Sequence, residues 1–387
     1  AWSAATTLAG SVLSLVLCAT SEFVRASPSL WTRSFADIKA LLWGSLLFSR
    51  KHWFKQTSAS DPKNPTLEEL SVDSYPTTDE YDPADLVEVR GLTMPDGSAA
   101  KFFSSVKYGV VLRHFTWMKE YGISGVFHLR FMESIHIDRN REWKTMVLRN
   151  VRQAAQATGR SFAVSYNISG RTLTNKVLQD MKIDWKRLVD EEKITQSRRY
   201  IRHSGRPVLR IFGVGFKAPM SFVDDTAGIA DLIDWFQNTA DDRYRVFLIG
   251  GVPSNWRSLS GDSRSGTAWK SIYDSFDGIH PWHVGRYSTD DFESYYTDKI
   301  KADAEYCAER DDIIYMPTLW AGFSWHNLKD HAFPVNQIPR LGGRFMWQQA
   351  HRYSADSNIH TIWMAQVGES LQRCHLSPAG SHYIFLV

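Results

Sequence analysis

From about Val110 onward the spacing of apolar residues switches repeatedly between two periods, and each switch predicts an element. Phe115 and Met118 lie on a helical pattern that passes through Gly122 into the strand-like run Gly125-Val126-Phe127-His128-Leu129-Arg130-Phe131. With a candidate N-cap at Asp138, the residues Trp143, Met146, Val147, Val151, Ala154 and Ala155 keep helical spacing until Gly159 ends it. A strand over 161–166 follows, then helical Leu173, Val177, Leu178, Met181, Trp185 and Leu188, then a strand over 208–212. Asp224, Asp225 or Thr226 can cap a helix carrying Ile229, Leu232, Ile233 and Phe236, and residues 246–249 supply the next strand. A helix over 269–276, a strand near Ile279, a long helix over 290–310 and strands over 313–319 and 359–365 complete the series.

Strand alternating with helix over this length predicts a parallel sheet with right-handed crossovers. The apolar runs lead into Gly, aromatic and polar clusters on their C-terminal side: residues 167–170, 213–216, 250–257, 281–287 and 321–327. Loops that follow the strands build the active face of a (β/α)8 barrel, and they also hold ligands in a doubly wound open sheet. No GxGxxG or GxxxxGKS loop is present to hold phosphates, and Gly213-Val214-Gly215 alone is a weak signal. Residues 61–97, rich in Pro, Asp, Thr and Ser, read as a long turn-filled connection.

Charge and composition narrow the classes. Lys plus Arg exceed Asp plus Glu by 45 to 42, and the charges are scattered, so no basic stripe for nucleic acid exists. No apolar run reaches the roughly 18 residues of a membrane span. The run Leu8 to Ala19 fits either the hydrophobic part of a secretory signal or a buried segment; the first reading implies an exported protein. Cys18 falls in that run, which leaves Cys307 and Cys374 as the remaining pair, and their pairing is not readable from spacing. His280 with His283 and His326 with His331 have no further ligands nearby, and no CxxC or HExxH occurs, so neither a metal nor another cofactor is expected.

The aromatic content, 15 Trp, 15 Tyr and 21 Phe, exceeds what a core needs, and flat rings suit the apolar faces of sugars. Trp256 with Arg257, Trp282 with Arg286 and Tyr287, and Trp325 with His326 each set a ring beside a donor at a strand end, which predicts a carbohydrate cleft. The alternative is that the rings cap the core and the arginines bind loop carbonyls or carboxylates. Asn167 ends a strand where a polar side chain would face the mouth; Asn167-Ile168-Ser169 also matches a glycosylation sequon, which a packed cleft would leave inaccessible. Arg130 is either a mouth residue or an ion-pair partner of Glu133 or Asp138.

Several ordered segments resemble the glycoside hydrolase family 71 and 99-like proteins: residues 117–127, 166–170, Gly250-Gly251-Val252-Pro253 with Trp256-Arg257, and Pro281-Trp282 with Val284-Gly285-Arg286-Tyr287. Phe323-Ser324-Trp325 with Asn327, and Ile338-Pro339-Arg340 with Gly342-Gly343 and Trp347-Gln348, continue the resemblance, which runs from about Lys51 to Ala365. It implies a (β/α)8 barrel and hydrolysis of α-linked glycans of mannan or glucan type, with an oligosaccharide or polysaccharide as partner. Residues 1–50 would then be a signal remnant and unmatched segment, 51–365 the barrel, and 366–387 an unmatched tail.

Two departures qualify that expectation. Members of the group begin the barrel with a G-Y-Q-G-W-F strand, and nothing of that kind precedes Lys51, so the first strand is missing or replaced. They end the eighth strand with a segment resembling D-E-x-D-E-G-T-A, whereas this chain reads Gln366-Val367-Gly368-Glu369-Ser370-Leu371-Gln372 after Ala365. Without gaps, Glu369 falls at the first catalytic glutamate and Gln372 at the second. Glycoside cleavage uses two carboxyl groups, and an amide cannot protonate the departing oxygen. The expected function is therefore a glycoside hydrolase with its catalytic pair disrupted; the alternatives are a non-catalytic carbohydrate-binding barrel and an inactive product of a defective gene reading.

Overall fold

The computed structural model describes residues 40–43 and 78–365, apart from 121, 136, 171–172, 311–312 and 328, together with 372–375 and 382–385. The apolar run Leu8 to Ala19, with Cys18, and the candidate catalytic residue Glu369 lie outside the described residues.

The architecture is mixed α/β, built on a parallel sheet with helices between successive strands. Its strands are β1 (Ala40–Trp43), β4 (Gly125–Phe131), β5 (Ser161–Asn167), β7 (Arg206–Phe212), β8 (Phe247–Val252), β9 (Gly278–Pro281), β10 (Ile314–Tyr315), β11 (Thr318–Leu319) and β12 (Ile362–Ala365). They run in the order β10-β9-β8-β7-β5-β4-β1-β12-β11. A short strand β6 (Arg202–His203) folds back antiparallel on β7. β10 and β11 are halves of one segment interrupted at Met316-Pro317; the first half pairs β9 and the second pairs β12.

β1 fills the position between β4 and β12. Leu41 pairs with Gly125 on one side and with Trp363 on the other, both in parallel register. A strand drawn from residues before Lys51 thus gives β4 and β12 each a hydrogen-bonded neighbour instead of an open edge.

The helices follow the apolar spacing. Helix Asp138–Thr158 ends at Gly159, whose φ of 76° is the left-handed cap conformation that glycine adopts without a Cβ clash. Its N-cap position is Ile137, which makes no side-chain cap; Asp138 is the first helical residue and serves the positive helix end from there. Asp225, by contrast, caps helix Thr226–Asp234 by accepting from Gly228 N. Trp185, buried in helix Val177–Asp190, donates its Nε1 to Tyr244 O at 2.9 Å, which ties that helix to the turn before β8.

Two segments differ from the sequence expectation. Within 61–97, residues beyond Leu86 form a hairpin, β2 (Leu86–Thr93) with β3 (Ala99–Phe103), closed by Met94 N bonding Ser98 O at 2.8 Å. Pro95-Asp96-Gly97 forms the turn, and burial of Ala100 and Phe102 on one face of β3 and of Phe103 on the other makes a strand of the segment that follows it. Residues Arg344–Ser354 form a further helix, whose buried Phe345, Met346, Gln349 and Tyr353 have helical spacing. The final pair, β13 (Gln372–His375) and β14 (His382–Phe385), is antiparallel; Gln372 and Cys374 lie in β13.

Candidate functional site

Strand side chains alternate between two faces, and contacts tell which is which. Arg130 on β4 and Tyr166 on β5 both reach Asp184 of helix Val177–Asp190, so these positions face the helix layer. On the other face Ser165, Arg210, His280, Phe127 and Trp363 meet one another across strands and form a shared interior. Phe131, Asn167, Phe212, Gly251 and His280 stand in one register row at the C-terminal end, with Trp282 just beyond.

Arg210 organises this interior. Its Nη1 donates to Ser165 Oγ at 3.1 Å, and its Nη2 lies 2.7 Å from His280 Nδ1. The guanidinium lies over the Trp363 ring at 4.2 Å and the Phe212 ring at 4.8 Å. Gly251 makes this reach possible, because a Cβ there would stand 2.9 Å from Arg210 Nη2 and 2.8 Å from Phe212 Cα. A guanidinium only donates, so His280 Nδ1 accepts and the ring proton is on Nε2. Nε2 then donates to Thr318 Oγ1 at 3.1 Å, and the Thr318 hydroxyl donates to Pro281 O at 2.6 Å. His280 is held neutral: burial first, then the charges of Arg210 and His283, push its pKa well below the usual range. It is a structural link in this state, with no free nitrogen for acid or base work.

The residues expected to line a cleft separate into several environments. Asn167 is buried at the end of β5, where its Oδ1 accepts from Ser169 N at 2.7 Å and Ser169 Oγ at 2.6 Å. Trp282 is half-buried and sets its ring edge against Phe212 at 5.2 Å. These two stand at the C-terminal ends of β5 and β9. Trp256 is 0% exposed and donates Nε1 to Asp303 Oδ2 at 2.9 Å, while Arg257 Nε donates to Asp303 Oδ1 at 2.7 Å. Both are thereby anchored to helix Ala302–Ala308, away from the interior. Tyr287 is packed among Tyr295, Trp320 and Phe345 and donates to Gln349 Oε1 at 2.9 Å, a core position.

Arg286 is exposed and pairs with Asp262 at 2.8 Å. That carboxylate also accepts from Ser254 N and Oγ and from Asn255 N and Nδ2, so it binds the loop after β8 to the loop after β9. Burial alone would raise the Asp262 pKa; Arg286 and the hydrogen bonds from Asn255 and Ser254 hold it below the usual carboxylate range. Trp325 is 37% exposed on the loop after β11, against Phe323 and Phe333. His326 and His331 stack nearby at 4.3 Å. Arg130 is 0% exposed, and its guanidinium makes a two-point pair with Asp184 at 2.8 and 2.7 Å; neither Glu133 nor Asp138 is its partner there. Asp138 pairs instead with Arg141.

Glu133 lies in the short helix Met132–Ile135 that follows the C-terminal end of β4. A Cβ on Gly170, in the loop after β5, would be 3.3 Å from its carboxyl carbon. The acids Asp184, Asp262 and Asp303 were missed because no spacing links them to the cations they hold; separations of 54, 24 and 46 residues close only through the fold.

No family model matches the chain, and no curated protein does so. Two solved structures of the GH99 endo-alpha-mannosidase from Bacteroides thetaiotaomicron do. One, in complex with bis-tris-propane, has a TM-score of 0.56 at 11% identity over 90% of each chain. The other has a TM-score of 0.57 at 11% identity, covering 89% of this chain and 93% of that one. The chain is GH99-like in fold. Among the residues of the ordered motifs, Gly250 packs closely on Phe276, Gly251 on Phe212, and Tyr287 lies in the core.

Proposed function

We propose that the chain is a glycosidase-like (β/α)8 barrel that binds α-linked glycans of mannan type at the C-terminal ends of its strands. The observation that carries the reading is the extent of the fold likeness, about nine-tenths of both chains, to endo-alpha-mannosidase structures. The pairing pattern supports closure of the sheet, since the single segment 314–319 reaches β9 with one end and β12 with the other. Asn167 and Trp282 would contact the sugar, the ring against an apolar face and the amide within the fringe of hydroxyls. The apolar run Leu8 to Ala19 supports export.

In this reading catalysis is impaired. Gln372 at the proton-donor position removes general-acid assistance, which costs roughly 10²- to 10⁴-fold. A second reading, a non-catalytic binding barrel, is favoured by one observation: the charged side chain at the centre of the described interior is Arg210, a cation. Replacing residues 366–387 by the D-E-x-D-E-G-T-A ending separates the two. Restored turnover of α-mannan oligosaccharides supports the impaired enzyme, binding without turnover supports the binding barrel, and absence of both removes the glycan reading.

A further inference from the structure

The interior cation has no counter-ion among the described residues. Arg210 is 1% exposed, and its polar contacts are the neutral Ser165 and His280. Arg130, the other guanidinium buried to this degree on the strands, has the carboxylate of Asp184. An unpaired buried charge costs several kcal/mol, so a fold retains one where something of opposite charge meets it. Two donor-only groups here have no acceptor among the described residues: Arg210 Nε and Trp363 Nε1, on side chains stacked at 4.2 Å. The interior side chains that surround them, Phe127, Phe212, Ile249, His280 and Thr318, are apolar or neutral. Gly251 leaves the space that lets the guanidinium rise to the row of Asn167, just below Trp282.

We propose that Arg210, with Trp363 Nε1, is the floor of an anion subsite and that the glycan taken at this mouth carries a carboxylate, as a uronic acid does. This rests on the glycan reading above and adds the charge of the sugar to it. The carboxylate would accept from Arg210 Nε and Trp363 Nε1 after passing the Phe212–Trp282 pair at the rim. A charge-assisted hydrogen bond in such a place is worth about tenfold or more in affinity.

The test is calorimetric titration of the full chain with an α-mannan oligosaccharide bearing a glucuronic acid branch, and with the same oligosaccharide after reduction of its carboxyl group to the alcohol. The acidic form is expected to bind about tenfold or more tightly than the reduced form. Arg210→Gln should remove that preference, and Arg210→Lys should keep part of it. Unchanged far-UV and near-UV circular dichroism of the variants separates this from unfolding; if Arg210→Gln unfolds, Arg210→Lys together with Trp363→Phe decides, each expected to lower the preference. Equal binding of the two forms, or a preference untouched by these changes, overturns the anion subsite and leaves the glycan reading standing. Binding of neither form overturns both.

Discussion

Asp184→Asn should be among the most damaging single changes in the chain. The variant removes the carboxylate charge from a site where the Arg130 guanidinium is 0% and Asp184 2% exposed, and it replaces one acceptor oxygen of a two-point pair by an NH2 group. Tyr166, buried and donating to the same carboxylate at 2.7 Å, competes for the remaining oxygen. Breaking a buried pair from one side costs about 3–5 kcal/mol, against a total stability of about 5–15 kcal/mol for a domain. The double variant Arg130→Met with Asp184→Leu removes both charges and keeps volume, so it should recover part of that loss, the remainder being the Tyr166 hydroxyl left buried without its acceptor. Urea unfolding followed by tryptophan fluorescence measures both. Because Arg130 faces the helix layer, the double variant should also bind oligosaccharide as the unmodified chain does. A loss below about 1 kcal/mol for Asp184→Asn would refute the pairing, and loss of glycan binding in a folded double variant would return Arg130 to the mouth.

Burial pushes the His283 pKa down to about 3, against about 6.5 in the unfolded chain, so unfolding takes up a proton between those values and stability falls as pH drops below 6.5. At pH 5 this one group costs about 2 kcal/mol, and His283→Gln should reduce proton uptake on unfolding by about one; an unchanged pH slope of the urea midpoint would contradict it. Gly251→Ala forces a Cβ to within 2.8 Å of Phe212 Cα and should cost about 1–3 kcal/mol by urea unfolding, where a neutral result would show that the Arg210 row has slack. Deleting residues 1–50 removes β1 from between β4 and β12 and should lower the melting temperature by several degrees or more; an unchanged value would show that the strand adds nothing.

The helices are legible in the sequence because burial on a single face enforces their period. Strands β4, β5, β7, β8 and β9 are legible for a different reason: they are buried on both faces, so they read as short, nearly continuous runs rich in Val, Ile, Phe and Leu. β1 was legible only as a gap, since a four-residue strand is too short to carry a period and its partners are residues 125 and 362 onward. The same limit applied to the candidate site. Asn167 and Trp282 could be placed at strand ends because position relative to a strand end is a local property. Trp256, Tyr287 and Arg257 follow the same local pattern, but their environment is decided by Asp303, Gln349 and Tyr353, which approach from helices far along the chain. Arg210 sat in plain view in a strand run; that its side chain points inward toward His280 depends on register across four strands.

In the proposed function, the C-terminal strand ends that hold Asn167 and Trp282 bind α-mannan oligosaccharides while this chain turns them over slowly. Titration calorimetry and product analysis on the same samples, comparing the unmodified chain with Trp282→Ala and Glu133→Gln, test it most directly. Measurable binding that Trp282→Ala weakens by about tenfold, with turnover at least about a hundredfold below that of the tail-replaced chain, is the predicted result. Binding indifferent to Trp282, or brisk hydrolysis by the unmodified chain that Glu133→Gln abolishes, would contradict it.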